Sequence, residues 1–237
     1  MSERTIPPEW ESERDLIELV RDLGRRGLAD GLDASFVSGR PVDGAIELMV
    51  ESGLFALTLP ARYGGQGRSY TALAAVSEEL GRIDTSHQVS LTVHLGLTSM
   101  CILQWGNETQ REQWLPDLAR GERIGTFGLT EPGAGSDVGA LRMRAREVES
   151  GYLLNGEKSW ISSANIANLF LLFATVDPAK RHRGITAFVV PGESLGLTTT
   201  RLHGKLGVRA GDTGTVVCND VFVPRENVLG EVGEGFA

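Results

Sequence analysis

Cysteine is scarce: 237 residues hold only Cys101 and Cys218, far apart and each inside an apolar stretch. That excludes a disulfide framework and fits reduced, buried thiols in a cytoplasmic protein. Histidine is scarce too. Four scattered copies, with no CxxC or HxxxH spacing, predict no metal site. Positive charge is in the minority, 23 Lys and Arg against 31 Asp and Glu, and the net charge of -8 has no basic run to offset it. A nucleic-acid partner is therefore not expected. The first ten residues carry neither a basic-then-apolar signal pattern nor an Arg- and Ser-rich transit pattern. Internal repeats and low-complexity segments are absent.

Residues 87–105 lack Asp, Glu, Lys and Arg altogether. The stretch is long enough to span a bilayer. It nevertheless holds His87, Gln88, Ser90, Thr92, His94, Thr98, Ser99 and Gln104, which hydrocarbon would penalise. The expectation is a helix buried in a protein core, not a membrane span.

What is present reads as a soluble globular chain, with 41% hydrophobic and 23% charged residues. The first half has helical period. Trp10, Ile17, Val20 and Leu23 recur at helical spacing after Pro7-Pro8, and Val42, Ala45, Ile46, Met49 and Val50 follow Pro41 and end before Gly53. Further helices are predicted over 70–82, 86–105 and 108–118. The last has a capping box, Asn107 with Gln110, and Pro116 should kink or shorten it.

After Gly121 the period changes to two. Leu141, Met143 and Ala145 alternate with Arg142, Arg144 and Arg146, predicting a half-buried strand with a solvated basic face. More strands are predicted over 152–155, 158–162, 169–176, 185–190 and 215–223, with Gly156-Glu157 interrupting between the first two. Helices first and strands second give an α+β fold: an N-terminal all-α helical domain over 1–122, then a small antiparallel β-barrel or sandwich over 123–230.

Two short segments carry the chemistry. In the first, Thr126-Phe127-Gly128-Leu129-Thr130-Glu131-Pro132-Gly133-Ala134-Gly135-Ser136-Asp137, the glycines invite a dinucleotide-fingerprint reading. That fingerprint needs a helix whose N-terminus faces the pyrophosphate, and strand period follows Gly139, so the reading is rejected. A Gly-rich turn can still offer backbone N–H groups to a phosphate, while Thr126, Thr130 and Ser136 add hydroxyls. Taken alone, a phosphate cradle and an ordinary loop both stay open. In the second, Lys158-Ser159-Trp160-Ile161-Ser162, Trp160 is either a core aromatic or an indole that covers a flat cofactor, with Ser162 able to reach a ring nitrogen.

Both segments resemble the flavin-binding segments of the acyl-CoA dehydrogenase family. The similarity extends through Glu51-Ser52-Gly53-Leu54 to Tyr63-Gly64-Gly65-Gln66-Gly67, and to Lys205-Leu206-Gly207-Val208-Arg209-Ala210-Gly211-Asp212-Thr213. The resemblance implies an FAD-dependent α,β-dehydrogenation of an acyl-CoA thioester, as in fatty-acid β-oxidation, with hydride transfer to flavin N5. By it, Phe127, Leu129, Thr130 and Ser136 line the FAD, and Trp160, Ile161 and Ser162 meet the isoalloxazine. The Ser162 hydroxyl would lie near N5, and Ser136 would also touch the acyl-CoA. Many relatives have Tyr in place of Phe127 and Thr in place of Ser162.

The resemblance also implies an electron-transfer flavoprotein or similar acceptor, and a homo-oligomer, dimer or tetramer, or a complementary subunit. In relatives the catalytic base lies in a C-terminal helical domain, whose start residues 231–237 would form. No catalytic residue is nominated here, and an exposed apolar face with self-association is expected. Glu131 and Asp137 are expected to hold the loop, Arg209 and Asp212 to pair within theirs, and His87 and His94 to be hydrogen-bonded core residues. A charged loop, Lys180-Arg181-His182-Arg183, is expected to be solvated between two strands. Two other readings stand beside the dehydrogenase: a non-catalytic flavin- or acyl-CoA-binding subunit, and an acyl-CoA oxidase or flavin monooxygenase on the same scaffold.

Overall fold

A computed structural model describes residues 5–236. Its first half is helical: α1 (Arg14–Leu23), α2 (Leu32–Ser38), α3 (Ala45–Glu51), α4 (Tyr70–Ile83), α5 (Thr85–Thr92), α6 (Met100–Trp105) and α7 (Glu108–Ala119). Three of these helices, α4, α5 and α7, begin where a side chain supplies an acceptor for the free N–H groups. The Ser69 hydroxyl accepts from Ala72 at the start of α4, and Asp84 accepts from Ser86 at the start of α5. The predicted capping box of Asn107 and Gln110 opens α7, and that helix runs past Pro116 to Ala119, so the expected shortening does not occur. Apolar residues at helical spacing join α1 to α4. Leu16, Val20 and Leu23 meet Leu73, Val76 and Leu80 in one core, and the buried Glu79 is held by Arg21 at 3.0 Å.

The charge-free stretch is a helical run, as expected, with one side buried in the core and Leu97, Gln104 and Trp105 exposed. It passes from α5 through seven residues wound as π-helix, Val93–Ser99, into α6. Both of its histidines find partners inside: His87 Nε2 meets Leu28 O at 3.1 Å and His94 Nε2 meets Leu118 O at 3.2 Å. Among the described residues no helix is long and apolar enough to cross a membrane.

Among the described residues eight strands follow: β1 (Gly125–Gly128), β2 (Arg144–Val148), β3 (Gly151–Ser162), β4 (Leu169–Thr175), β5 (Ile185–Pro191), β6 (Leu197–Arg201), β7 (Thr213–Pro224) and β8 (Val228–Leu229). They form one mostly antiparallel sheet in the order β6-β7-β3-β2-β4-β5-β8, with β1 parallel beside β4. The α+β order is therefore the predicted one. The sheet stays open, however, since its end strands β6 and β8 do not pair, so no barrel closes. It curls instead: Tyr152 of β3 meets Phe188 of β5 edge-on at 5.3 Å, and residues of β3, β4, β5 and β7 share an inner core.

Strand β4 is buried throughout because it serves two cores. Leu169, Leu171 and Phe173 join the helical core, while Phe170, Leu172 and Ala174 join the inner one. A strand covered on both faces reads as a continuous apolar run, not an alternating one.

The predicted interruption at Gly156-Glu157 is not a break. β3 is continuous, and the register shifts there because β7 carries an extra residue opposite Asn155. Asn155 fixes the shift by exchanging hydrogen bonds with Asp220, whose φ is 50°. Gly156 sits at φ 144°, where a Cβ would lie 2.8 Å from Met143 Cα. The strands β1, β6 and β8, absent from the sequence reading, are short and pair only over long range.

Candidate functional site

The two segments singled out from sequence meet in space. Strand β1 lies beside β4, so Phe127 opposes Leu171 and stacks obliquely on Phe173 at 4.8 Å between centroids. Beyond Gly128 the chain runs along the end of β3. Thr126 Oγ1 donates to Ser162 O at 2.6 Å, Lys158 Nζ donates to Leu129 O at 3.0 Å, and the Ser159 N–H donates to Thr130 O at 2.9 Å.

At that junction β3 bulges. Lys158 pairs with Val216 and Ile161 with Gly214, so three steps on β3 match two on β7. The extra length is taken up around Trp160, whose φ is 61° and whose side chain is 65% exposed. A bulky residue in the left-handed region is a steric outlier that only its surroundings can maintain. Bulges of this kind re-aim a side chain, and here an indole is turned out of the sheet. Ile161 points the other way, 2% exposed in the inner core, so its side chain is closed to any ligand. Ser162 is half-buried, as are Phe127, Leu129 and Thr130. Thr126 is fully buried with its hydroxyl spent on Ser162, which removes it from the hydroxyls expected to be open.

The Gly-rich loop is pinned by its acids. Glu131, almost fully buried, accepts from Lys158 Nζ at 2.8 Å, from the Arg142 N–H at 2.5 Å and from the Met143 N–H at 2.9 Å. Burial pulls the Lys158 ammonium below its ordinary pKa, and the Glu131 carboxylate opposes that shift. Asp137 takes Arg181 at 2.9 Å on both carboxylate oxygens. Between these anchors Ser136 is exposed, and a Cβ built on Gly133 or Gly135 would meet nothing within 4 Å. No α-helix starts after Gly139. The chain makes a single 3-10 turn over Val138–Ala140 and then enters the strand, as its period requires.

Other sequence expectations divide. The basic residues Arg142, Arg144 and Arg146 are exposed, and Lys180 to Arg183 lie in a turn between β4 and β5. Arg209 and Asp212 do not pair with each other. Arg209 donates to the carbonyls of Phe36, Val37 and Lys205, while Asp212 holds Arg201 at 2.9 Å and caps Asn165. Each side chain is taken by partners outside the pair, Arg209 by carbonyls of the helical half and Asp212 by Arg201 and Asn165.

A cavity of about 220 Å³ lies behind Phe127 and Leu129, lined also by Cys101, Trp105, Phe173 and Phe236. Sequence reading missed Cys101, Trp105 and Phe173 as neighbours of the site, because nothing local signals which helix face lies over β1. A larger cavity of about 920 Å³ opens elsewhere, between the loop before α3, the start of α5 and the segment around Arg201 and Asp212. It includes none of the residues from either flavin-like segment.

Residues 10–122 match the family model of the acyl-CoA dehydrogenase N-terminal domain, and residues 126–221 match that of the acyl-CoA dehydrogenase middle domain. The chain belongs to the acyl-CoA dehydrogenase family. It is 39% identical over 191 residues to the short-chain specific acyl-CoA dehydrogenase, mitochondrial, of Mus musculus, covering 81% of this chain and 46% of that protein. The butyryl-CoA dehydrogenase from Megasphaera elsdenii superposes with a TM-score of 0.91 at 31% identity, over 99% of this chain and 61% of that one. An acyl-CoA dehydrogenase complexed with FAD from Bacillus anthracis superposes with a TM-score of 0.87 at 31% identity, over 97% and 39%. The chain thus spans about half the length of the curated relative it matches. In acyl-CoA dehydrogenase terms, the bulge at Trp160 and the Gly-rich loop both fall inside the middle-domain match.

Proposed function

We propose that this chain forms the flavin- and acyl-CoA-binding part of an FAD-dependent acyl-CoA dehydrogenase, with residues 1–122 as its helical domain and 123–230 as its β-domain. Residues 231–237 are then the approach to a C-terminal helical domain. One observation carries the reading: four hydrogen bonds join the two segments, and the β3 bulge presents the Trp160 indole outward beside Thr130.

The residues present suit FAD. An exposed indole offers a face for the isoalloxazine. The half-buried Phe127 and Leu129 offer apolar edge contacts, while Thr130 and Ser162 offer hydroxyls. At Gly133 and Gly135 neither crowding nor a positive φ calls for glycine, which leaves room for close approach of a diphosphate to the backbone. The Ser159 hydroxyl, buried beside Trp160, has no partner within the chain. Ile161 would take part through its main chain alone.

When bound, FAD supplies an acceptor for the β-hydride of the acyl thioester. The chain's own part would be orientation: Trp160 would offer its indole face to the ring, Ser162 its hydroxyl to the flavin edge, and Ser136 its hydroxyl to the diphosphate and the acyl-CoA. Neither carboxylate of the loop is assigned the α-proton, because Glu131 is held by Lys158 and Asp137 by Arg181. An electron-transfer flavoprotein or similar carrier is the acceptor we assign, with a homo-oligomeric assembly. A cytoplasmic location is supported by the two free thiols.

Purified protein should be yellow or should bind added FAD. Trp160→Ala should weaken that binding about fivefold, since stacking contributes on the order of 1 kcal/mol. A colourless protein with no measurable FAD affinity would overturn the reading.

A further inference from the structure

Lys158 and Glu131 form a buried ion pair that no chemistry yet accounts for. Lys158 is wholly enclosed and Glu131 nearly so, 2.8 Å apart. Burying such a pair is a poor way to stabilise a fold, because the cost of taking both charges out of water offsets their attraction. Its location suggests another role. Lys158 is the last β3 residue in register with β7 before the bulge, two positions ahead of Trp160. Glu131 follows Thr130 directly. Together the two side chains hold Leu129 O and the N–H groups of Arg142 and Met143, and the adjoining Ser159 N–H then reaches Thr130 O.

On the far side of the bulge, Ser162 pairs with Thr213 and the Ser163 N–H donates to Asp212 O at 2.7 Å. The strained Trp160 is therefore fixed from both flanks, and the ion pair is the anchor on the Thr130 side. The strain at Trp160 needs such over-determination to persist. A charged pair supplies it with direction, since an apolar pair could slide in register without losing contact area.

We propose that Lys158 and Glu131 are positioning residues: their ion pair locks the Gly-rich loop to the β3 bulge, and so sets the spacing of Trp160 and Thr130 on which flavin binding depends. The role rests on the FAD reading above, and neither residue touches the flavin or moves a proton.

The test is the double variant Lys158→Met/Glu131→Gln, which removes both charges while keeping similar volume. Three quantities are compared with the parent: the urea midpoint, the exchange rate of the Ser159 amide, and FAD affinity with bound-flavin fluorescence. The expected result is a midpoint lowered by the unpaired Leu129 O and by one of the Arg142 and Met143 N–H groups in a variant that still folds, Ser159 exchange at least tenfold faster than that lowered stability alone accounts for, at least tenfold weaker FAD binding, and brighter bound flavin as Trp160 quenches it less. A matching change at the Arg21–Glu79 pair between α1 and α4, Arg21→Met/Glu79→Gln, should leave FAD affinity within twofold.

Parent-like Ser159 exchange and FAD affinity in the double variant would overturn the proposal. So would its failure to fold together with that of Glu131→Gln alone, because the pair would then be a stability element. If the parent itself binds no FAD yet Ser159 exchange still accelerates, the positioning role stands and the flavin reading falls.

Discussion

His94 ties the stability of the protein to pH through the strand that carries Phe127. Its ring is fully buried, packed against Phe55 at 4.5 Å between centroids. Nδ1 accepts the Gly125 N–H at 3.1 Å, so Nε2 must carry the proton that goes to Leu118 O at 3.2 Å. A second proton would set N–H against N–H at the first residue of β1. Burial pushes the pKa down from 6.5 to about 4, although the Leu118 and Phe55 carbonyls pull it up. The unfolded chain therefore takes up the proton more readily than the folded one. Stability from this site is complete above about pH 6.5 and is lost as pH falls toward 4. At 1.36 kcal/mol per pKa unit, the loss is roughly 2 kcal/mol by pH 5 and roughly 3 by pH 4. Urea denaturation at pH 7.5 and pH 5 measures it in the parent and in His94→Gln, where contributions from the carboxylates and the other three histidines cancel. The drop between the two pH values should be smaller in the variant by about 2 kcal/mol. Equal drops, or an NMR titration of His94 near 6.5, would refute the argument.

Two glycine substitutions should separate folding from binding. Gly156→Ala places a Cβ 2.8 Å from Met143 Cα at a φ of 144°, so it should destabilise the protein by about 3 kcal/mol or more, read as a lowered urea midpoint or loss of soluble protein. Gly135→Ala meets no neighbour within 4 Å, so the midpoint should stay within about 0.5 kcal/mol of the parent's while titration shows weaker FAD binding. Unchanged FAD affinity in Gly135→Ala would remove the loop backbone from the diphosphate site.

Much of the architecture was legible because it follows local rules. The Asn107 capping box, the charge-free helical run from 87 to 105 and the alternation of Leu141, Met143 and Ala145 against three arginines all recur in the structure. The two segments were singled out by likeness, and both fall inside the match to the middle domain of the family. Pairing that spans long stretches of chain was not legible. Thr126 had the look of an open hydroxyl until Ser162, 36 residues on, took it as a donor. Arg209 and Asp212 sit close in sequence, yet each found its partner elsewhere.

Trp160 shows the division most clearly. Sequence by itself determined that an indole stands in a strand between small hydroxyl residues, since residue type and period are local properties. Only the tertiary structure decided that it faces outward, because that depends on one extra residue in the β3–β7 register and on a buried ion pair with a loop 27 positions earlier. A strand of period two has two faces, and the side a residue takes is settled by its partners across the sheet, not by its neighbours along the chain.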